Sequence, residues 1–463
     1  ASSGGPSAVK PVPDRRQPAA PVPARPKPKT PLPPMPATDV NVSGQPNING
    51  YYPPDTNGDV GPRNYVQMVN VTLAIYNKAG DPELGPFNSN VLWGGFGGPC
   101  AVTNDGDGIV QYDQLADRWV ISQFSVSAGA NLECVAVSVT GDPTGAYYRY
   151  AFDYGDEFPD YPKMSVWPDG YYVTYNIFGG ADENTFLGAR TCALQRSSML
   201  QGAVAVQQCF LLSDTASLLP ADLDGSTLPP AGAPNYQLAL SPTDNAKLVM
   251  YRFAVNWDNP ASSTLTGPTE IAVDPFTAAC TAVDGRCVPQ PGTAQLLDSL
   301  GDRLMYRLAY RNFGDHESLV VNHTVAMDGN PALTGQTGVR WYEIRSPGTT
   351  PVVYQQGTQA SPSAGEFRWM ASIAQDSQGN MGLGYSSSSD ALFPSINYLG
   401  RLAGDPLGTM NYEPGTIQTG SGSQLGPAGR WGDYTSMSVD PTDDCTFWYT
   451  NQYLDQTSAV DWV

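Results

Sequence analysis

Apolar and polar positions along the chain repeat a two-strand pattern. The segment MSVWPDGYYVTYN, residues 164–176, consists of an apolar strand, a Pro-Asp-Gly turn and an aromatic strand, which predicts a β-hairpin. Related segments begin at Tyr65, Ile109, Leu238, Tyr306, Ala371 and Met437. Four-stranded units repeated radially build a β-propeller, so these seven segments predict an all-β fold, a seven-bladed β-propeller.

A short motif supports the repeat. An Asp-Tyr or Asn-Tyr pair precedes four of the segments, and three residues after each Tyr comes Met68, Met164, Ala239 or Met437. The pairs are Asn64-Tyr65, Asp160-Tyr161, Asn235-Tyr236 and Asp433-Tyr434. In a propeller, the residues before each innermost strand surround the mouth of the central channel. We expect Asn64, Asp107, Asp160, Asn235, Arg303, Arg368 and Asp433 at this mouth.

The Asp/Asn-Tyr pairs also have an architectural interpretation, in which the short polar side chain caps a bend and the Tyr packs between blades.

The amino-terminal segment differs from the rest of the chain. Twelve prolines lie between Pro6 and Pro36, which predicts an extended polyproline arm over residues 1–48 and a propeller over residues 49–463. Residues 1–38 carry six basic side chains and one acidic side chain, so this segment is +5 and the remainder is −25 in a chain of net charge −20. The arm could lie on its own propeller or act as a passive spacer. We predict instead that it docks on a neighbouring copy and forms a homo-oligomer or filament.

Charge and composition bear on compartment and partners. The net charge of −20 disfavours nucleic acid as a partner, and no stretch reaches the roughly 20 apolar residues of a membrane span. The first residue, Ala1, suits the small residue that follows a cleaved signal peptide. We therefore expect a secreted protein, extracellular or on the cell surface.

Seven cysteines without metal-binding spacing predict disulfides and an oxidising compartment. The expected pairs are Cys100–Cys134, Cys192–Cys209 and Cys280–Cys287. Cys445 is then left over. It is either a buried free thiol or the partner of an eighth cysteine in a missing carboxy-terminal segment.

Several mouth residues are candidates for chemistry. Histidine is the usual acid–base residue near neutral pH, and of the two histidines in the chain His323 falls nearer the expected mouth. The candidate catalytic set is Asp160, Asp433, His323 and Arg368, which we expect to share one pocket. The candidate ligand-binding set is Trp369, Arg430, Trp431 and Arg303, because Trp and Arg suit sugar stacking and carboxylate binding. Structural histidines and inter-blade packing are the alternatives.

Three loops resemble halves of calcium sites. The sequence DTNGD supplies Asp55, Asn57 and Asp59, and NDGDG supplies Asp105 and Asp107. A third loop, DLDGS, supplies Asp222 and Asp224. Alternating oxygen ligands around glycine suit Ca²⁺, although the longer EF-hand pattern fails because Val66 stands where its last Glu belongs. We predict at least one bound Ca²⁺ and no organic cofactor, with solvated turns as the alternative.

The chain resembles a family of secreted bacterial propeller-like proteins. The resemblance covers about residues 49–455, and rests on motifs such as PPDTNGDVGP, LWGGFGGPC, LPADLDGSTLPPAGAPNY and GRWGDYTSMSVDPTDDCTFWYTN. It implies a propeller and no settled activity, so no catalytic residue follows from it. The first hypothesis for function is an extracellular binding or assembly module. The second is a carbohydrate-active enzyme, a glycoside hydrolase or polysaccharide lyase acting at the channel mouth.

Overall fold

The computed structural model describes residues 31–180, 184–330 and 335–463. The chain divides into two units, Ala1–Leu32 and a compact unit, Pro33–Val463, which holds the strands named below. The first sixteen strands are β1 (Asn57–Val60), β2 (Asn64–Val69), β3 (Thr72–Asn77), β4 (Pro82–Asn88), β5 (Gly106–Asp113), β6 (Arg118–Ser125), β7 (Leu132–Ser138), β8 (Tyr147–Asp153), β9 (Phe158–Trp167), β10 (Gly170–Gly179), β11 (Thr185–Leu194), β12 (Gln207–Leu212), β13 (Leu219–Asp224), β14 (Asn235–Leu240), β15 (Lys247–Ala254) and β16 (Thr264–Ala272). The others are β17 (Arg286–Val288), β18 (Leu297–Asp298), β19 (Met305–Asn312), β20 (Glu317–Ala326), β21 (Thr337–Arg345), β22 (Val352–Gln359), β23 (Phe367–Gln375), β24 (Met381–Ser388), β25 (Ser395–Arg401), β26 (Gly415–Gln418), β27 (Ser436–Val439) and β28 (Phe447–Thr450).

Within the described residues, helical structure is confined to short turns. Two α-helical turns are α1 (Pro99–Val102) and α2 (Arg196–Met199). Three 3-10 turns span Ser89–Trp93, Pro260–Ser262 and Thr281–Val283. No helix among the described residues has the length and apolar character needed to cross a membrane.

The strands form four-stranded antiparallel units in a propeller-like arrangement. Four units are separate sheets: β1–β4, β5–β8, β9–β12 and β23–β26. Two further units, β13–β16 and β19–β22, share one eight-stranded sheet because β13 pairs in parallel with β19. The last unit has two strands, β27 and β28. The all-β prediction is confirmed, but the seven predicted blades do not appear as seven separate four-stranded sheets.

The first strands of these units lie side by side. In one contact, the Asn57 side chain of β1 accepts a hydrogen bond from the Val110 N–H of β5 at 2.6 Å. In another, the Ser436 hydroxyl of β27 donates to the Gly58 carbonyl of β1 at 2.6 Å. Contacts of this kind bring the last unit back to the first, as in a propeller.

The hairpin that carries the repeat forms as predicted. β9 and β10 pair in antiparallel register from Trp167 opposite Gly170, with Pro168 and Asp169 in the turn. Both faces of β10 are covered, so nearly every residue from Gly170 to Gly179 is buried. Apolar and aromatic side chains therefore occupy both faces of the strand, and only Thr174 and Asn176 interrupt them.

Two of the seven repeated segments lie one strand later in their units than the other five. The segments at Ile109, Met164, Tyr306, Ala371 and Met437 lie on first and second strands of their units. Those at Tyr65 and Leu238 lie on the second and third strands, β2–β3 and β14–β15. Because neighbouring strands run antiparallel, Asn64 and Asn235 fall at the end of the unit opposite the start of its first strand. The prediction that they border the mouth is therefore wrong.

The three predicted disulfides are confirmed. They are Cys100–Cys134, Cys192–Cys209 and Cys280–Cys287, and the Cys192 and Cys209 residues are direct partners across β11 and β12. Cys445 is a free, exposed thiol, not a buried one. The disulfides fit an oxidising, extracellular environment.

Part of the predicted arm lies on its own chain. The Met35 N–H donates to the Glu413 carbonyl at 3.1 Å, and the Asn41 side chain donates to the Ile417 carbonyl at 2.7 Å. The Gln45 side chain then donates to the Gln67 carbonyl at 2.8 Å. These contacts match the own-propeller alternative. Residues 1–30, which carry most of the predicted arm, lie outside the described residues, and docking on a second copy stays a prediction.

Candidate functional site

Left-handed backbone conformations mark the starts of the first strands. Six residues that are not glycine have positive φ there: Asp55 (49°), Asp107 (50°), Tyr161 (57°), Ser217 (49°), Met370 (49°) and Asp433 (65°). Non-glycine residues rarely adopt this conformation, and they do so mostly where surrounding structure enforces it for function. Four of the six belong to one cluster of charged and aromatic side chains, named here the mouth cluster: Asp55, Asp107, Asp160, Tyr161, Lys163, Arg303, Arg430, Asp433 and Tyr434.

Two carboxyl groups of the mouth cluster lie within hydrogen-bonding distance of each other, those of Asp55 and Asp107. Asp55 is 2% exposed and Asp107 is half-buried. Burial raises the pKa of Asp55 to about 6. Burial, together with the negative charges of Asp55 and Asp160, raises the pKa of Asp107 well above its usual range. Two carboxyls this close favour a shared proton, so the pair can hold a transferable proton near neutral pH.

Lys163 lies beneath the carboxyl pair and is fully buried. Its Nζ lies 3.4 Å from the centre of the Tyr161 ring and 3.7 Å from that of Tyr434, and it donates to the Pro162 carbonyl at 2.8 Å. Burial lowers the Lys163 pKa to about 7, against the opposing attraction of Asp107 and Asp55. The two ring faces therefore hold a cation that would otherwise be costly to bury.

Asp160 is the third carboxyl of the cluster and is half-buried. Burial raises its pKa, and the nearby charges of Arg303 and Arg430 oppose that rise. Arg430 donates through Nε to Asp433 at 2.8 Å, and the Arg303 guanidinium lies 4.7 Å from the centre of the Tyr161 ring. Two guanidinium charges thus oppose the effect of burial on Asp160.

The mouth cluster has the parts of an acid–base site. Asp107 and Asp160 are the half-buried carboxyls of the cluster, whereas Asp55, Asp433 and Lys163 are almost completely buried. Burial and the neighbouring charges of Asp55 and Asp160 raise the pKa of Asp107, whereas the charges of Arg303 and Arg430, which pair with Asp302 and Asp433, oppose the rise in the pKa of Asp160. Carboxyl groups whose environments favour different protonation states can act as acid and base in one reaction.

Glu133 gives a test of the electrostatics around the cluster. It is fully buried on β7, and burial raises its pKa from the usual 4.5 to about 8, with a further contribution from Asp107. A pKa raised by folding gives stability that is present below pH 4.5 and is lost as the pH rises toward 8. We therefore expect Glu133→Gln to remove this pH-dependent loss of stability. The change in the free energy of unfolding that the substitution causes should be more favourable at pH 8 than at pH 5, by about 2–4 kcal/mol.

Chemical denaturation of both forms at pH 5 and pH 8 checks this expectation. Glu270→Gln is the control, because Glu270 pairs with Lys247 on the surface and its side chain is 58% exposed. The control should change stability to the same small extent at both pH values. A Glu133→Gln protein whose stability falls between pH 5 and pH 8 as steeply as that of the parent would contradict the raised pKa.

The structure divides the predicted catalytic set. Asp160 and Asp433 both belong to the mouth cluster, where Arg430 pairs with Asp433 and its charge acts on Asp160. His323 is fully buried elsewhere, with Nε2 2.9 Å from the Tyr342 hydroxyl and its ring against Phe276, and burial lowers its pKa to about 3. Arg368 contacts Glu366 at 3.5 Å and the Tyr385 ring. A histidine with so low a pKa is a poor base near neutral pH.

The predicted ligand-binding set is divided in the same way. Arg303 and Arg430 belong to the mouth cluster. Trp369 and Trp431 are both fully buried, with ring centres 6.1 Å apart, and the Trp431 indole donates to the Ser386 hydroxyl at 3.2 Å. The two Trp rings therefore fill the core, as the packing alternative expects, and offer no face for a sugar to stack on.

The predicted calcium residues are used in three different ways. Asp55 and Asp107 form the carboxyl pair described above. Asn57 and Asp59 accept hydrogen bonds from N–H groups of β5, and burial raises the pKa of Asp59 to about 7. Asp105 accepts bonds from Val126 and Ser127. In the third loop, Asp222 and Asp224 pair with Arg307.

Among the described residues, no three His, Cys, Asp or Glu side chains converge as a metal site. Calcium binding therefore stays a prediction.

Sequence reasoning missed Lys163 and Tyr434 as members of the site. Lys163 interrupts the apolar run between Tyr161 and Trp167, and a lone lysine in a buried strand is an available signal. The pairing of Asp55 with Asp107 had no such signal, because these residues belong to different units and lie 52 positions apart in the sequence.

Comparisons with known proteins give weak matches only. No model of a known protein family matches the chain, and no curated protein matches it. An exo-β-1,3-galactanase from Clostridium thermocellum is 11% identical, with 76% of each chain covered and a TM-score of 0.32. An endo-arabinase from Bacteroides thetaiotaomicron is 10% identical, with 77% of this chain and 96% of that chain covered and a TM-score of 0.32. A bat influenza neuraminidase-like protein of subtype N11 is 8% identical, with 77% and 74% covered and a TM-score of 0.31. Scores this low support no inference about activity.

Proposed function

We propose that this chain is a secreted carbohydrate-active hydrolase that cleaves glycosidic bonds at the mouth cluster. Asp107 is the general acid and Asp160 is the base or nucleophile. The observation that carries the proposal is a pair of half-buried carboxyls with raised pKa values, one beside the carboxyl of Asp55 and the other under the opposing charges of Arg303 and Arg430. Glycoside hydrolysis uses two carboxyl groups in these two protonation states.

The other members of the cluster have supporting roles. Asp55 holds the shared proton on Asp107, because the two carboxyls are in contact and Asp55 itself is only 2% exposed. The buried Lys163 cation limits the negative charge of Asp55, Asp107 and Asp160. Arg303 and Arg430 lie where they can hold Asp160 ionised and donate hydrogen bonds to substrate hydroxyl groups.

A carboxyl pair with a shared proton is also the arrangement of an aspartic protease, in which both carboxyls face one water. Here Asp55 is buried behind Asp107, so the pair has one accessible carboxyl. The cluster therefore suits an acid that works with a separate base, Asp160, better than a symmetric dyad. The glycoside hydrolases named above agree with this proposal, but their TM-scores are too low to support it.

The proposal takes the seven units as seven blades around one channel, with the cluster at the end where the first strands begin. The binding-module hypothesis shares this geometry and differs in one outcome. A binding module retains polysaccharide without cleaving it, whereas a hydrolase releases new reducing ends.

Release of reducing ends from a panel of neutral and acidic polysaccharides, between pH 4 and pH 9, tests the proposal. Asp107 must hold its proton, so the rate should fall as the pH rises above its raised pKa. Asp160 must be ionised, so the rate should also fall as the pH drops below its own raised pKa. A bell-shaped profile with its maximum at mildly acidic to neutral pH is expected. Saturable binding of a polysaccharide without cleavage at any pH would favour the binding module instead.

A further inference from the structure

Four phenylalanine rings form a continuous row, named here the Phe row: Phe124, Phe158, Phe178 and Phe186. The ring centres of Phe124 and Phe158 lie 5.6 Å apart. Those of Phe158 and Phe178 lie 6.5 Å apart, and those of Phe178 and Phe186 lie 5.6 Å apart. Phe178 on β10 is the direct partner of Phe158 on β9 and of Phe186 on β11. The row therefore crosses the third unit from its first strand to its third.

The inner end of the Phe row lies beside the two carboxyl groups assigned to catalysis. Phe158 lies two residues before Asp160 on β9, and both residues pair with β10 in one register. Because alternate residues of a strand share one face, the two side chains are about 7 Å apart along that face. Phe124 is the partner of Gly106, the residue before Asp107. The first two rings of the row are therefore neighbours of any substrate bound at these carboxyls.

Exposure increases along the Phe row. Phe124 is 7% exposed, Phe158 and Phe178 are half-buried, and Phe186 is 42% exposed. Single exposed apolar residues are common on proteins, whereas contiguous apolar surface is typical of binding sites. The row thus offers a contiguous aromatic surface that leads from the mouth cluster to solvent.

The sixth unit shows that strand pairing does not require such a row. Phe367 of β23 corresponds to Phe158 of β9. Each lies three residues before a residue with positive φ, Met370 (49°) or Tyr161 (57°). The partner of Phe367 on β24 is Ser388. Because a serine suffices at this position in the sixth unit, strand pairing alone does not call for the outer rings of the third.

The composition of the Phe row indicates the class of ligand. The chain has 25 Tyr and 9 Trp against 14 Phe, yet the row consists of Phe alone. Tyr and Trp combine a ring with a hydrogen-bonding group, whereas Phe offers only a ring. The hydroxyl groups of a sugar need hydrogen-bond partners when they leave water. The row therefore suits an aromatic group better than a further sugar.

We propose that the Phe row binds an aromatic aglycone, joined to the sugar through the glycosidic oxygen that Asp107 protonates. This inference rests on the proposed hydrolase function and adds the class of leaving group. In the reaction, the bond between the sugar carbon and this oxygen breaks, and the aglycone leaves as a phenol that carries the Asp107 proton. One water supplies the new hydroxyl group of the sugar, and its remaining proton restores the carboxyl groups.

The probe for binding is 2-naphthol, a two-ring phenol without a sugar, titrated against the full chain by saturation-transfer NMR. We expect saturable binding that Phe186→Ala weakens about tenfold, because one aromatic contact is lost, and that Phe186→Leu weakens less. Phe96→Ala is the matched control, because Phe96 is 40% exposed and lies outside the Phe row. Both alanine substitutions truncate an exposed ring, so both variants should fold. Binding that does not saturate, or that is equally tight in Phe186→Ala and Phe96→Ala, overturns the proposal.

Kinetics separates this inference from the hydrolase proposal. For 2-naphthyl glycosides, Phe186→Ala should raise KM about tenfold, whereas KM for oligosaccharides of the same sugars should change little. Hydrolysis of 2-naphthyl glycosides with a KM that Phe186→Ala leaves unchanged would overturn the aglycone site while the hydrolase proposal stands. Binding of 2-naphthol that depends on Phe186, without hydrolysis of any glycoside, would support the aromatic site and reject the hydrolase.

Discussion

Replacing Asp107 by Asn is expected to lower kcat for glycoside hydrolysis by about 10²–10⁴-fold, the usual contribution of a positioned general acid. The amide of Asn has the shape of the carboxyl group but cannot supply the acidic proton to a departing oxygen. KM should change little, because the substitution removes a proton donor and leaves the shape of the surface intact. The activity that remains in the variant should no longer fall as the pH rises, because that fall is caused by the loss of the Asp107 proton.

The fold should tolerate this substitution. Asp107 has φ 50°, and asparagine is among the residues that adopt the left-handed conformation most readily. The backbone N–H of Asp107 donates to the Asn70 side chain at 3.0 Å, a bond that the Asp107→Asn variant would keep. Removing one of two neighbouring carboxyls also relieves repulsion with Asp55, so the melting temperature should stay the same or rise.

The matched control is Asp142→Asn in the same unit. Asp142 lies in the turn between β7 and β8, at the end of the unit opposite Asp107, where it accepts hydrogen bonds from Thr144. The activity of the Asp142→Asn variant should equal that of the parent protein. If Asp107→Asn keeps its kcat within a factor of a few while remaining folded, Asp107 is not the acid.

The strand pattern was sufficient to predict the class of fold. Alternation and turn residues identify a hairpin such as β9–β10 because they depend on local geometry, which a single sequence carries. They do not say whether a strand is first or second in its unit. In Asn64–Val69 every residue is buried, as in a first strand, since neighbouring sheets cover both faces. The Tyr65 and Leu238 segments were misplaced for this reason.

The mouth cluster could be predicted only in part. The members found were Asp107, Asp160, Arg303, Arg430 and Asp433, because each precedes or begins a first strand and the first strands start at the same end of their units. His323 was selected for its chemistry and for its expected position near the mouth, yet it is buried against Phe276 and Tyr342. The partner of a side chain in a neighbouring unit depends on packing between sheets, and no periodicity in the sequence records that.

Replacing Arg307 by Met is expected to destabilise the folded chain by about 3–5 kcal/mol, or to prevent folding altogether. Arg307 is 3% exposed and donates to Asp222 at 2.5 Å, to Asp224 at 2.6 Å and to the Met437 carbonyl at 2.9 Å. It thereby joins β13, β19 and β27, three of the first strands. Methionine is similar in length to arginine and packs well, so the substitution should leave no large cavity. The loss of stability then reflects the two carboxylates that stay buried without the arginine.

The pH dependence of this variant follows from the same cause. Burial already raises the pKa of Asp222, with Arg307 as the main opposing charge. Without Arg307 the pKa of Asp222 rises further, and the folded state takes up a proton that the unfolded state does not hold above about pH 4. A group whose pKa is raised on folding stabilises the protein at low pH. The loss of stability caused by Arg307→Met should therefore be smaller at pH 5 than at pH 8.

Two further variants separate this explanation from a loss of packing. Arg286→Met removes the exposed pair with Asp284, whose side chains are 41% and 88% exposed, and should change the denaturation midpoint very little. The triple variant Arg307→Met, Asp222→Asn, Asp224→Asn removes the buried charges together, and the amide oxygen introduced by Asp222→Asn can still accept the Val166 N–H that Asp222 accepts at 2.9 Å. It should therefore recover more than half of the lost stability, because an uncharged group is far less costly to bury than an unpaired carboxylate. A triple variant no more stable than Arg307→Met, or a deficit equal at pH 5 and pH 8, would mean that packing and not charge makes Arg307 necessary.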